Sequence, residues 1–345
     1  MNRIKNITAP DRSAVYAAKE RWDSIAKPLG SLGLLEDAVC RIAAVQGTPD
    51  ICIGERRAVV MCADNGVVRE GVTQSDSSVT ALCANEISAG RSSVNIIAKS
   101  VNAGVIAVDI GVAADTAALD RKIARGTGNI AVGAAMSVEE AEAAITVGID
   151  IVKQCSEQGV KIIVTGEMGI GNTTTAAALT SVLLGLPPKA VTGRGAGLDD
   201  ARLAHKVEVI ERAIEVNKPD RSRPVELLAK LGGLDIAGMA GLFLGGAVYH
   251  IPVVIDGVIS AAAAVIAAAV QPLCKEYMLA SHCSSEPAGG LLLDSLGLKA
   301  PIHAEMRLGE GTGGLMLLPL LDCALAVYCD AHRFEQIELE RYRPL

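Results

Sequence analysis

Residues 159–175 read GVKIIVTGEMGIGNTTT, and the chain continues AAALTSVLLG. An apolar, β-branched run breaks off at Gly166 and Glu167, passes through glycines, and gives way to threonines and an Ala/Leu-rich stretch. A short continuous apolar run suits a strand buried on both faces, and the Ala/Leu-rich stretch has the length and character of a helix. The same form recurs at Arg57–Gly66 (RAVVMCADNG), Val101–Gly111 (VNAGVIAVDIG), His250–Gly257 (HIPVVIDG) and Glu276–His282 (EYMLASH). Strands of this kind alternating with helices predict an α/β fold built on a parallel, doubly wound sheet. In such sheets the ligand crevice lies outside the carboxyl ends of the strands, so Asp64, Asp109, Glu167 and Asp256 are expected along that edge.

The 345 residues are 50% hydrophobic, 21% charged and only 2% aromatic, so a large core of Ala, Val, Leu and Ile is expected. Amphipathic helices are expected at Ser13–Ile25 and Leu34–Val45, and a further helical stretch runs from Leu315 to Arg343, ending in a charged segment. A small helical domain from residues 1–50 plus 315–345 would then flank a large α/β domain, 51–314, carrying the active site. Gly232–Val248 is rich in small residues and is expected to pack closely on a neighbour, in this chain or in a partner.

Net charge is -7, no basic block occurs and aromatic residues are scarce, which argues against a nucleic-acid polymer as partner. An anionic small molecule is still admissible, because helix N-termini bind phosphate without net positive charge. Nine cysteines show neither a CxxC pair nor zinc-site spacing, as expected of reduced thiols in the cytoplasm. The N-terminal MNRIKNITAPDRSA lacks the apolar run of a secretion signal. Residues 251–273 are long and apolar enough to suggest a membrane span, but Asp256–Gly257 inside them predicts strand, turn and buried helix instead.

Three glycine-rich loops carry the chemistry. Thr165–Thr175 places glycines and threonine hydroxyls at a helix start, which makes an anion cradle. Asn172 stands where a nucleotide triphosphatase needs lysine, and the dinucleotide fingerprint lacks its last glycine, so a monophosphate suits the loop better than ATP or NAD. Thr192–Asp200 (TGRGAGLDD) sets Arg194 among glycines, with Asp199 or Asp200 as helix cap; Arg194 and Lys206 are candidate phosphate contacts. Met306–Gly314 (MRLGEGTGG) isolates Glu310 on a glycine turn, where a carboxylate makes sense as a general base. His282–Pro287 (HCSSEP) offers histidine, serine and acid, yet no G-x-S-x-G elbow exists, which argues against a hydrolase.

Taken together and in order, Asp23–Gly33 (DSIAKPLGSLG), Ala63–Val72 (ADNGVVREGV), Gly166–Thr175, Gly193–Asp200, Gly232–Gly241 (GGLDIAGMAG), Val253–Gly257, Ser281–Pro287 (SHCSSEP) and Met306–Gly313 resemble the nicotinate mononucleotide:5,6-dimethylbenzimidazole phosphoribosyltransferases of cobalamin biosynthesis. The resemblance implies a Rossmann-like sheet with a small helical domain, working as a dimer. It implies that Glu310 is the general base. Glu167, Gly169, Gly171, Asn172 and Thr173 would hold the phosphate and ribose of the mononucleotide, aided by Gly193, Gly195, Lys206 and Ser284. Neither metal nor cofactor is implied.

The chemistry agrees with one base. The pyridinium of the donor is already a cationic leaving group and needs no acid, whereas the acceptor must lose a proton as its new bond forms. Partial burial of Glu310 would raise its pKa toward the working range. In-line attack inverts the anomeric carbon, so a β-nucleotide gives an α-linked product.

Two segments depart from the family pattern. Asn65 replaces the usual histidine of ADHG. In Gln74–Thr80 (QSDSSVT), Ser75, Asp76 and Ser77 replace an aromatic, proline and glutamine on the acceptor side. The acceptor is therefore either the usual dimethylbenzimidazole or a phenol such as p-cresol, as in relatives that pair two similar chains. The other classes considered are a non-catalytic partner subunit, which would need no carboxylate on a glycine turn, and an NAD-dependent oxidoreductase, which lacks its fingerprint. Lys27 and Ser31 of KPLGSLG are either functional or simply a turn between helices.

Overall fold

The structure, a computed structural model, describes residues 2–343; the outermost residues of the expected small domain, 1, 344 and 345, lie outside the described residues. Its sheet consists of β1 (Arg56–Ala63), β2 (Ala103–Gly111), β3 (Leu119–Asp120), β4 (Ile162–Met168), β5 (Val253–Ile255) and β6 (Met278–Ala280). The spatial order is β3-β2-β1-β4-β5-β6, and every pairing is parallel. The chain builds outward from β1 to β3, then returns to lay β4 against the other side of β1. That reversal is the topological switch point, where helices leave on opposite faces and open a crevice. Met61 pairs with Glu167 and Cys62 with Met168, so the ends of β1 and β4 frame the crevice.

Both faces of the sheet are covered, which is why its strands are apolar without alternation. Val59, Met61 and Ile163 point into one core with the helices Val138–Glu157, Leu234–Tyr249 and Val258–Val270. Val60, Cys62, Ile162 and Val164 point into the other, with the helices Ser78–Ser88, Ser93–Ser100 and Thr312–Asp330. The small-residue helix Leu234–Tyr249 packs within this chain, against Val138–Glu157. Residues 251–273 form β5, a turn at Asp256–Gly257 and the buried helix Val258–Val270, as expected.

Near the chain ends, the helices Arg12–Ser24 and Leu34–Gln46 share an apolar cluster with the far half of Thr312–Asp330, where the Trp22 and Tyr328 rings lie 4.9 Å apart. The near half of that last helix, Leu315 to Leu321, belongs instead to the core under the sheet. The helix also stops earlier than its sequence suggests. After Asp330 the backbone becomes extended, Arg333 bridges to Ile25, and among the described residues only the 3-10 turn Phe334–Ile337 comes after it. The charged segment beyond offers one aromatic pair, Phe334 on Tyr342, in place of an apolar stripe, so nothing continues the helix.

Candidate active site

The end of β4 is narrow for a reason. A Cβ on Gly166 would lie 2.6 Å from the carbonyl oxygen of Glu310, so only glycine lets the Met306–Gly314 loop close on the strand. In that loop Gly309, Glu310 and Gly311 all have left-handed backbone, with φ of 87°, 60° and 85°. Glycines accept this readily; Glu310 is the residue held there against its preference. Its Oε2 is buried without a hydrogen-bond partner. Burial raises its pKa, the Asp256 charge adds to that, and the Val94 N–H opposes it. The carboxylate faces the helices that carry Cys83 and Val94, and Cys83 is itself raised first by burial and then by Glu310.

On the other side of the same turn lies a cavity lined by Gly309, Glu167, Gly169, Gly171, Asn172, Thr173, Gly195, Lys206 and Ser284. These include eight of the nine residues expected to hold the mononucleotide. The ninth, Gly193, lies behind the wall, flush under the carboxylate of Glu286. The helix Asn172–Leu184 starts at Gly171, φ 93°, on the cavity wall. Its Asn172 and Thr174 N–H groups are taken up by the Gly169 and Gly171 carbonyls at 3.1 and 2.9 Å, and the partial positive charge of the helix start remains at the cavity. Lys206 reaches in from the helix Asp200–Asn217. Its Nζ donates to Thr173 Oγ1 at 2.9 Å and to the Gly193 carbonyl at 3.3 Å, both neutral groups. Burial pushes its pKa down to about 8, against the pull of Glu286. A buried ammonium with neutral partners is a place for an anion.

Behind the cavity the amide of Asn172 donates to both Glu167 Oε2 and, at 3.0 Å, Asp235 Oδ2. Burial, then the charge of Asp235, push Glu167 up to about 8, with Asn172 opposing. Burial likewise lifts Asp235 to about 6, with Asn172 the main opposing group. The two carboxylates thus share one amide donor, and burial favours the protonated form of both. Asn65 joins this cluster, accepting from Thr175 Oγ1 at 3.4 Å. Sequence reasoning missed Asp235 altogether, although a lone acid in the apolar run GGLDIAGMAG was the available signal. It also left Asp256, His282 and Glu286, which all line the cavity, without roles.

Other expectations fall elsewhere. Asp109 is occupied by Lys122 Nζ at 2.8 Å, Thr116 Oγ1 at 2.8 Å and Val112 N–H at 2.9 Å. Asp64 accepts from the Ala113 N–H at 2.8 Å, its other oxygen buried without a partner. Neither lines the cavity. Arg194 does line it, but its guanidinium is engaged by Asp200 and by the Leu198 carbonyl at 2.7 Å. Asp199 caps the following helix. Lys27 is paired with Glu36 at 2.6 Å, and Glu36 also accepts from the Leu32 N–H at 2.9 Å, so the KPLGSLG segment is braced as a turn. In the divergent segment Ser75 lines the cavity, while Asp76 turns back to accept from the Ser78 N–H at 2.9 Å ahead of the helix Ser78–Ser88.

The chain as a whole is matched elsewhere. A family model described as a phosphoribosyltransferase, DBI_PRT, covers residues 7–338. A Clostridium acetobutylicum protein named nicotinate-nucleotide–dimethylbenzimidazole phosphoribosyltransferase is 41% identical, the match covering 100% of this chain and 99% of that one. A Ruminiclostridium cellulolyticum protein of the same name is 42% identical over 100% and 98%. The crystal structure of CobT from Thermus thermophilus superposes with a TM-score of 0.90 at 35% identity, covering 96% of this chain and 100% of the other. The chain belongs to the nicotinate-nucleotide–dimethylbenzimidazole phosphoribosyltransferase family.

Proposed function

We propose that this enzyme transfers the 5-phosphoribosyl group of nicotinate mononucleotide to the lower-ligand base of a cobamide, with 5,6-dimethylbenzimidazole the default acceptor. The observation that carries this reading is the placement of Glu310. One side of its glycine turn walls a phosphate-suited cavity, and its buried, unpartnered carboxylate oxygen stands on the other side.

The donor phosphate sits at the start of the helix Asn172–Leu184, beside the Thr173 hydroxyl, the Gly195 loop, Ser284 and the Lys206 ammonium. Anchored there, the ribose presents C1′ toward the Gly309–Gly311 turn. The acceptor nitrogen attacks C1′ from the face opposite nicotinate. As the new C–N bond forms, the old one breaks, its electron pair neutralises the pyridinium, and nicotinate leaves. The acceptor N–H proton passes to the Glu310 carboxylate. Inversion turns a β-nucleotide into an α-linked product. Burial that raises Glu310 above the ordinary carboxylate range improves its match to this proton.

We further read the protein as a cytoplasmic dimer. Support comes from nine free cysteines and from the exposed apolar residues Met316 and Leu320, one helical turn apart on the last helix. The helices from the two chain ends, with their shared Trp22–Tyr328 cluster, we read as a small lobe beside the α/β unit. Asp76 is committed to its own helix, so the acceptor side meets Ser75 and the Cys83 region rather than an aromatic ring. Assays with benzimidazole, adenine and p-cresol as acceptors identify the preferred base.

Glu310→Gln is the decisive variant. It is expected to lower kcat by about a hundredfold or more while leaving the donor dissociation constant unchanged. Activity within about tenfold of the unmodified enzyme would refute the base.

A further inference from the structure

We infer that Asp256 is a positioning residue that aims the Glu310 carboxylate by capping, from the neighbouring strand, the helix that starts at the Glu310 turn. The inference rests on the reading of Glu310 as base.

The helix Thr312–Asp330 has Gly311 at its N-cap, and glycine has no side chain with which to satisfy the first-turn N–H groups. Asp256 does so across the sheet edge. Its Oδ2 accepts from the Gly311 N–H at 3.1 Å and its Oδ1 from the Gly314 N–H at 2.9 Å. A buried anion at a helix N-terminus is favoured by the partial positive charge there as well. The two bonds fix the backbone immediately after Glu310. That matters because Glu310 stands at φ 60°, a left-handed conformation unfavourable for a residue with a side chain and kept only where the surroundings impose it.

Asp256 is itself fixed. Its N–H donates to Ser260 Oγ at 3.1 Å, and that hydroxyl is 2.6 Å from Thr165 Oγ1 in β4. The His282 ring closes the other side, so tightly that a Cβ on Gly313 would lie 2.1 Å from it. The post that carries the base is thus anchored in β4, β5 and the end of β6. None of this requires Asp256 to touch the donor, although it borders the donor cavity.

A double-mutant cycle on the purified full chain separates the two roles. Asp256→Asn, which puts an N–H where Gly314 needs an acceptor, is expected to lower kcat about thirtyfold with donor KM changed less than about threefold, because sub-ångström misplacement costs that much. Added to Glu310→Gln it should cost less than about threefold more, since groups that act through one another do not multiply. Asp256→Ser, which keeps one acceptor, should exceed Asp256→Ala by about fivefold in kcat, with calorimetric donor binding certifying the fold of each variant. Full multiplicative loss in the double variant, or a rise in donor KM with kcat kept, overturns the inference and makes Asp256 a donor ligand. Small loss in Glu310→Gln alone overturns the base itself, an outcome that is distinct from the failure of the Asp256 link.

Discussion

The carboxyl edge of the sheet has two halves that begin alike and end differently. On the β1–β2 side, Asp109 ends an apolar strand and is taken up by the chain around β3: Lys122, Thr116 and the Val112 N–H all bind it. On the β4–β5 side, Glu167 and Asp256 also end apolar strands, but they border the cavity. Glu167 has only the amide it shares with Asp235, and Asp256 holds backbone N–H groups of the Glu310 turn. The difference comes from the connection. The chain just after β3 folds back over the edge with Lys122, whereas among the described residues the glycine loops after β4 bring no cation to Glu167. Asp109 is therefore neutralised by a cation and closed off from the cavity, whereas Glu167 and Asp256 border it with amide and backbone N–H partners alone.

Two lysines test that contrast. Removing Lys122 by Lys122→Met strands Asp109 in a buried site, and breaking a buried pair from one side costs about 3 kcal/mol. Urea denaturation should show that loss, with donor KM and kcat within about twofold of the parent once folded. Removing Lys206 by Lys206→Met should do the reverse. A buried ammonium with neutral partners is replaced by an apolar chain of similar length, so stability holds or rises. The donor phosphate loses a charge-assisted hydrogen bond of about 2 kcal/mol, and its dissociation constant rises about thirtyfold in a calorimetric titration. Equal effects of the two substitutions on binding would erase the distinction.

Much of this was legible in the sequence because it is local. A β-branched run followed by glycine and a helix-forming stretch states strand, turn and helix without help from the rest of the chain, and Glu167, Gly169, Gly171, Asn172 and Thr173 all lie at one such turn. Glu310 stood out because a charge isolated between glycines and flanked by apolar helix is unusual for a solvated side chain. Asp235 did not, since its meaning lies in Asn172 and Glu167, brought to it only by the fold. Asp256 was visible as an acid at a strand end, but its partners Gly311 and Gly314 are remote in sequence. The tail beyond Asp330 misled for the opposite reason. Its local helical character was overruled by the pairing of Arg333 with Ile25, a contact no window of sequence contains.

The smallest expected effect, in pH, sharpens the contrast further. Lys206 titrates at about 8, because burial disfavours its charged form. Below that pH the ammonium is present and above it the proton is lost, so, if Lys206 holds the donor phosphate as proposed, donor KM is expected to rise with pH, by at most about tenfold per unit. Glu310 works in the other direction. Its pKa is raised, its base form is lost as pH falls, and kcat declines on the acid side. The alkaline limb has a rival owner, because Glu167 also sits at about 8 and changes from neutral to charged there, in a site already crowded with carboxylates. Lys206→Arg decides between them. Arginine stays protonated beyond about pH 12, so if the limb belongs to position 206, donor KM becomes flat to at least about pH 9.5. If the limb stays near 8 in that variant, Glu167 owns it, and donor binding is governed by the acid pair at β4 rather than by the cation across the cavity.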